Sequence, residues 1–322
     1  MTDDPLLGRF GVCTDEVHPD LATALDAALA MGMCEVELLA FWGKPLVQMD
    51  DVELDRARGL IDKRGMRVSA IASGFLKTVL LGDVPRGQVG RHPAFVAELD
   101  VLRAQIRAAK LFGAPIVRTY AFRRDQMIGL GNPSPRLARG GPLPDVMLEK
   151  VLEGLRIAAD MAGDAGLILG LENVRSCWAN SGANTGRILR AANHPALKAI
   201  WDPGNDFVSG GVPYPEGYEA VKPYICHVHV KDARELDPAT GLTAWEAVGH
   251  GSVDYPAQFA ALRRDAYDGP LSLETHWHPK GPTGEADTIE DSRVSFEGIK
   301  QALAASVAVP SGSWHPNRVD RS

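Results

Sequence analysis

Short apolar runs rich in β-branched residues alternate along this chain with longer stretches in which apolar positions step by three and four. The first pattern suits strands buried on both faces and the second suits helices with one buried stripe; their alternation marks parallel βα units. Eight runs fit the strand pattern: residues 9–16, 34–41, 67–73, 115–122, 167–174, 197–203, 224–231 and 270–275. Between them, Phe95, Leu99, Leu102, Ile106 and Ala109 form one helical stripe that stops at Gly113. Leu148, Val151, Leu155, Ala158 and Ala162 form another, which stops near Gly166, and glycine is the usual residue just past a helix end. Eight consecutive units predict an α/β chain folded as one closed (β/α)8 barrel over residues 1–305. An open doubly wound sheet would use fewer strands and a reversal of strand order that no feature marks.

Two segments fall outside the repeat. Residues 123–144, after the fourth run, are rich in Gly, Pro, Arg and Asn and read as a long loop at the barrel mouth, either a lid, a subunit contact or a tolerated insertion. Residues 306–322 are a polar tail with isolated Trp314 and His315, expected to lie on the surface or on a neighbouring subunit.

Composition narrows the class without choosing the chemistry. With 322 residues, 45% hydrophobic, 23% charged and 33 Gly, the chain can bury a full core, which sets aside disordered, collagen-like and small disulfide-stapled proteins. No stretch approaches the ~20 apolar residues of a membrane span, and Met1-Thr2-Asp3-Asp4 is acidic where a signal peptide is basic. The expected location is the cytoplasm. Cys13, Cys34, Cys177 and Cys226 form no C-x-x-C pair and read as reduced structural thiols. The 41 acidic residues against 34 basic ones give a charge of −7 with no Lys/Arg block, so the footprint of a nucleic-acid binder is missing and small-molecule chemistry is favoured.

In such a barrel the reactive groups lie at the C-terminal strand ends. Four ends are polar where the runs before them are apolar: Glu172-Asn173 after the fifth, Asp202-Pro203-Gly204-Asn205 after the sixth, His227-Val228-His229-Val230-Lys231-Asp232 in the seventh, and Glu274-Thr275-His276 after the eighth. A carboxylate ending a doubly buried strand is costly unless paired, protonated or bound to a cation. Separate salt bridges would satisfy one such residue. Three carboxylates and an imidazole on four successive strands make Glu172, Asp202, His229 and Glu274 a ring of ligands for one divalent metal, with Mn2+ the best match and Mg2+, Co2+ or Zn2+ alternatives. His227 points the same way one layer deeper, as a core residue or a partner behind the ligands.

These motifs, with Gly249-His250-Gly251-Ser252-Val253-Asp254-Tyr255 after the seventh strand, resemble the xylose isomerase-like TIM barrels. Within them they are similar to the sugar phosphate isomerase/epimerase group, which includes D-tagatose 3-epimerase, hydroxypyruvate isomerase and inosose dehydratase. The resemblance covers residues 9–305. It implies one catalytic metal held by Glu172, Asp202, His229 and Glu274, and a homo-oligomer. It implies a sugar isomerase or epimerase acting on a keto-sugar or polyol through a metal-bound enediolate, with Glu172 and Glu274 as the proton-transferring pair. Epimerases of the group carry a His three residues after the strand-six Asp, where this chain has Asn205, and an Arg six residues after the strand-seven His, where Arg234 follows His229 by five. Asn205, Arg234 and His276 are the expected polar contacts to substrate, and His278 is a further candidate. Phe41, Trp42, Phe75, Tyr120, Phe122, Trp178 and Trp277 could wall a sugar pocket or pack under the loops. Lys231 and Asp232 are expected to pair locally, with contact between Lys231 and a substrate oxygen the alternative.

Three other functions compete. Elimination at the same site would make the protein a lyase, an inosose-type dehydratase or the catalytic subunit of a 3-oxo-glycoside-cleaving deglycosidase, and the last would require a small partner subunit. A nuclease resembling endonuclease IV would need further histidines where this chain has Ser73, Thr119 and Asn205. A non-catalytic sugar- or metal-binding barrel would leave the paired glutamates without use.

Overall fold

In the computed structural model, which describes residues 4–125, 140–279 and 287–308, every predicted strand run contributes one parallel strand to a closed barrel. The strands are β1 (Phe10–Cys13), β2 (Glu35–Leu38), β3 (Arg67–Ile71), β4 (Ile116–Thr119), β5 (Ile168–Glu172), β6 (Leu197–Trp201), β7 (Ile225–Val230) and β8 (Leu271–Leu273). Each pairs with its neighbours in sequence, and β1 closes the ring on β8 in the register Phe10↔Leu271, Gly11↔Ser272, Val12↔Leu273. The (β/α)8 expectation therefore holds. Each strand is shorter than the run that predicts it, because the polar residues at its C-terminal end leave the ladder to build the mouth. The first run, for example, ends in a single helical turn, Thr14–Val17.

The principal helices are α1 (Leu21–Ala30), α2 (Asp51–Asp62), α3 (Pro93–Phe112), α4 (Asp145–Asp164), α5 (Gly182–Ala192), α6 (Pro203–Val208), α7 (Tyr255–Arg264) and α8 (Thr288–Ser306). Side-chain caps start several of them: Asp20 accepts from Thr23 N, Ser181 from Asn184 N, and Asp50 with Glu53 forms a reciprocal capping box. The α3 stripe ends where the sequence predicts, at Gly113 with φ 70°, a left-handed backbone that glycine adopts without strain.

Outward strand residues meet the helix stripes. Phe10 of β1 packs edge-on against Phe259 of α7 and Phe296 of α8, with ring centroids 6.0 and 6.2 Å apart, and burying each ring contributes roughly 1.5–3 kcal/mol. Inside the barrel Ala70, Ile116 and Ile200 form a small apolar plug. Gly170 lets β5 approach it; a Cβ there would stand 2.7 Å from Ile200. Above the plug the interior turns polar.

Isolated bridges Leu80↔Arg123 and Arg123↔Cys177 tie together the loops after β3, β4 and β5. A hairpin that the periodicity does not reveal, Asp232–Asp237 with Leu242–Glu246, follows β7. Most of the mouth loop predicted at 123–144 and nearly all of the tail at 306–322 lie outside the described residues. No helix among the described residues is long and apolar enough to cross a membrane.

Candidate metal centre

The four residues assigned as ligands converge at the C-terminal end of the barrel. Glu172 is the last residue of β5, Asp202 follows β6, His229 lies one residue before the end of β7, and Glu274 follows β8. One ligand atom from each lies within 4.8 Å of all the others, and none of the four residues is more than 7% exposed. Strand alternation aims His227, His229 and Lys231 inward together. Asp202 also starts α6: its Oδ1 accepts Asn205 N at 2.7 Å. Asn205 Nδ2 donates to Glu172 Oε1 and Asp202 Oδ2, both at 3.0 Å, so it braces two ligands from behind.

Two further charged residues face the same space and were not singled out from sequence: Glu37 on β2, 0% exposed, and Arg118 on β4, 3% exposed. Glu37 Oε2 accepts from Nε2 of His229 at 2.8 Å and of His227 at 2.9 Å. Arg118 Nη1 lies 3.2 Å from Glu172, 3.5 Å from Glu37 and 3.6 Å from Glu274. The local Lys231–Asp232 pair expected from sequence does not form, because successive strand residues point to opposite sides. Lys231 instead turns inward to Asp202 Oδ2 at 2.9 Å and to Glu274. Asp232 accepts the backbone N–H groups of Ala233, Gly249, Gly251 and Val253 and so folds the Gly249–Val253 loop around itself.

These neighbours set the protonation of the ring. Burial pushes the Glu172 carboxyl up, but Arg118 and His229 outweigh it and bring it down to about 2. Burial is likewise outweighed at Glu274 by Lys231 and His229, and at Glu37 by the two histidines, so both stay well below the usual carboxylate range. At Asp202 burial prevails over Lys231 and the carboxyl is raised. His229 is raised well above an ordinary imidazole, since Glu37, Glu274 and Glu172 overcome the effect of burial; His227 is lowered by burial and stays neutral.

The ring fits a divalent cation on two counts. Four buried carboxylates face two fixed cations, Arg118 and Lys231; once His229 is neutral, as a ligand must be, two negative charges remain. In addition, His229 Nδ1 and Glu172 Oε2 are buried without a hydrogen-bond partner, although Nδ1 stands 3.2 Å from Glu274 Oε2, 3.6 Å from Glu172 Oε1 and 4.0 Å from Asp202 Oδ2. A single cation among these atoms would satisfy both orphans and the charge.

The residues expected to contact substrate divide. His276 reaches the ring through Lys231, its Nε2 3.3 Å from Nζ, while its Nδ1 lies 2.9 Å from Glu16 Oε1. His278 continues outward to Glu16 and Asp291. Arg234 is not brought to the ring; it pairs with Glu246 across the hairpin and is half exposed. Trp42 is bound to the start of α1, its Nε1 donating to Asp20 at 3.1 Å under the Arg56 guanidinium. Phe75, Phe41 and Phe122 are at most 1% exposed and pack under the loops, whereas Tyr120, equally buried, stands at the ring, with the Arg118 guanidinium 5.4 Å from its ring centroid and its hydroxyl against Glu172.

Residues 25–297 match the family described as xylose isomerase-like TIM barrel. No curated protein matches the sequence. A xylose isomerase-like TIM barrel protein from Mycobacterium smegmatis in complex with magnesium is similar at 22% identity and TM-score 0.60, covering 88% of this chain and 89% of that one. The 3-keto-D-glucoside 4-epimerase of E. coli is similar at 18% identity and TM-score 0.64, covering 91% and 99%. D-allulose 3-epimerase from Methylomonas sp. in complex with D-allulose is similar at 18% identity and TM-score 0.65, covering 91% and 96%. The barrel, its closure and the extent of the sequence match agree: this chain belongs to the xylose isomerase-like TIM barrel family.

Proposed function

We propose that the protein is a divalent-metal-dependent sugar isomerase or epimerase that moves a proton next to a ketone. The observation that carries this reading is the convergence of Glu172, Asp202, His229 and Glu274 within 4.8 Å, with two of their atoms unsatisfied. Epimerases acting on a 3-keto-glucoside and on allulose share the fold and agree with it. A divalent ion in the ring supplies Lewis acidity toward a carbonyl oxygen.

The remaining chemistry belongs to the chain. Glu172 and Glu274 come from β5 and from the end of β8, on different sides of the ring, and both stay ionised. One removes the proton on the carbon beside the carbonyl and becomes the carboxylic acid; the other, once it has taken a proton from a substrate hydroxyl or from water, returns a proton to the opposite face or to the neighbouring carbon. Arg118 and Lys231 provide fixed positive charge toward the enediolate, in a site with little water to screen it. Asn205 holds Glu172 and Asp202 in place through its two side-chain hydrogen bonds.

The test is proton exchange in D2O with added Mn2+, followed by NMR on a panel of free ketoses, an inosose and a 3-oxo-glucoside. Deuterium entering a ketose beside its carbonyl supports the proposal. Loss of water or aglycone from the inosose or oxo-glucoside, without exchange into free ketoses, replaces it with a lyase of the same fold.

A further inference from the structure

A histidine ligates a metal only as the neutral imidazole, so a cation entering the ring displaces one proton from His229, and the tautomer left behind decides which nitrogen can ligate. If the proton sits on Nδ1, His229 donates it to Glu274 or Glu172 and presents no lone pair to the ring; if it sits on Nε2, Nδ1 is open. The two nitrogens are buried in different surroundings. Nδ1 faces three ligand carboxylates, whereas Nε2 faces Glu37 Oε2 at 2.8 Å.

Glu37 itself has no direct place in the ring, since its carboxylate lies on the far side of the His229 imidazole from Nδ1. It is 0% exposed, so solvent does not compete for its oxygens, and Arg118 Nη1 lies 3.5 Å from its second oxygen. The same Oε2 takes the Nε2–H of His227 at 2.9 Å, and Ser272 Oγ stands 3.1 Å from that nitrogen. The two imidazoles meet edge to face, 5.1 Å between centroids. One carboxylate on β2 thus clamps both histidines of β7.

We propose that Glu37 is a positioning residue that makes His229 a ligand through Nδ1, by holding the ring proton on Nε2 and fixing the ring's orientation. This rests on the metal reading above. Without Glu37 the Nε2 proton loses its buried acceptor, and the tautomer that donates from Nδ1 into the carboxylates becomes favoured and competes with the cation. Glutamine with its oxygen in the place of Oε2 keeps an acceptor for both imidazoles, but it loses the negative charge and turns its amide N–H groups toward Arg118, so it restores the clamp only in part.

The experiment loads the full chain, its E37Q variant and its E37A variant with Co2+ and measures affinity by competition with a chromophoric chelator. On the loaded proteins it also records the hyperfine-shifted, exchangeable ring N–H of His229 by proton NMR. The expected result is a loss of affinity of about 10–100-fold for E37A, the usual effect of removing the partner behind a metal-bound histidine. E37Q should fall between, and the slowly exchanging ring N–H of the wild type should be lost in E37A. If E37A does not fold, by circular dichroism, E37Q decides. Binding within about threefold of wild type with the ring N–H retained overturns the role of Glu37 and leaves the metal reading standing, because removing a partner behind a metal-bound histidine should weaken binding by more than that. Failure of the wild type to take up Co2+ overturns both.

Discussion

The two ends of the barrel handle charge in opposite ways. At the N-terminal end a cleft of about 360 Å3 is bordered by Arg9, Glu35, Arg67 and Asp268. Arg67 grips Glu35 at 2.6 Å while 68% exposed, and Arg9 donates to the Asp268 carbonyl. Each charge there has a partner or water. At the C-terminal end Glu37, Glu172, Asp202 and Glu274 share Arg118 and Lys231, with no side chain among them more than 10% exposed. Exposed pairs contribute about 0–1 kcal/mol, whereas unbalanced buried charge is costly and persists where something bound compensates it. The difference between the ends singles out the C-terminal end as the candidate site without any appeal to relatives.

The largest effect is expected at the proposed proton-transferring pair, Glu172 and Glu274. Glu172→Gln or Glu274→Gln should keep the fold and lower kcat by about 10²–10⁴; retention of more than about a tenth of wild-type kcat would remove these residues from the acid–base role. His229→Ala should release the metal on dialysis, whereas unchanged metal content, measured by atomic emission, would mean that the ring closes without it. Lys231→Met tests the charge count from the other side. Removing an ammonium 2.9 Å from Asp202 relieves repulsion of a cation in the ring, worth about 4 kcal/mol at 4 Å in an effective dielectric near 20 before compensation. Metal affinity should rise at least about tenfold in calorimetry while turnover falls, and weaker binding would contradict the imbalance.

Asp15, beside the ring, offers a pH test. Burial and then Glu16 push its carboxyl up to about 7, so folding favours the protonated form. Its contribution to stability is full below about pH 4 and is lost as pH rises through 7. Asp15→Asn, neutral throughout, should match wild-type Tm near pH 4 and exceed it by a few degrees at pH 8. Equal Tm differences at both pH values would sink this reading. The smallest effect belongs to the other end: Glu35→Gln should change stability by less than about 1 kcal/mol in urea unfolding and leave turnover intact.

Most of the architecture is legible in the sequence because buried parallel strands and one-sided helices leave different periods. The four converging strand-end residues are legible for a related reason, since Glu172, Asp202 and Glu274 interrupt apolar runs at their C-terminal ends. Glu37 and Arg118 escape that filter because they sit inside short strands, flanked by Val36 and Leu38 and by Val117 and Thr119. The available signal was a charge inside each otherwise apolar run, Glu37 between Val36 and Leu38 and Arg118 after Ile116 and Val117. The same alternation that places His227 and His229 inward also carries Lys231 there, which the adjacent Asp232 obscures by offering a partner in sequence that it does not take in the fold. Arg234 shows the opposite limit: its spacing from His229 suggested a substrate contact, but the hairpin after β7, invisible to periodicity, holds it against Glu246. Trp42 and Phe75 looked like pocket walls because aromatic content alone does not separate a ring that packs under a loop from one that lines a cleft.

The central claim is that the charge imbalance at the C-terminal end is balanced by one divalent ion. The most direct measurement is an anomalous difference map from crystals grown with Mn2+. A single strong peak bonded to Glu172, Asp202, Glu274 and Nδ1 of His229 is the expected result. No peak in the ring, or one bonded to His229 through Nε2, would contradict it.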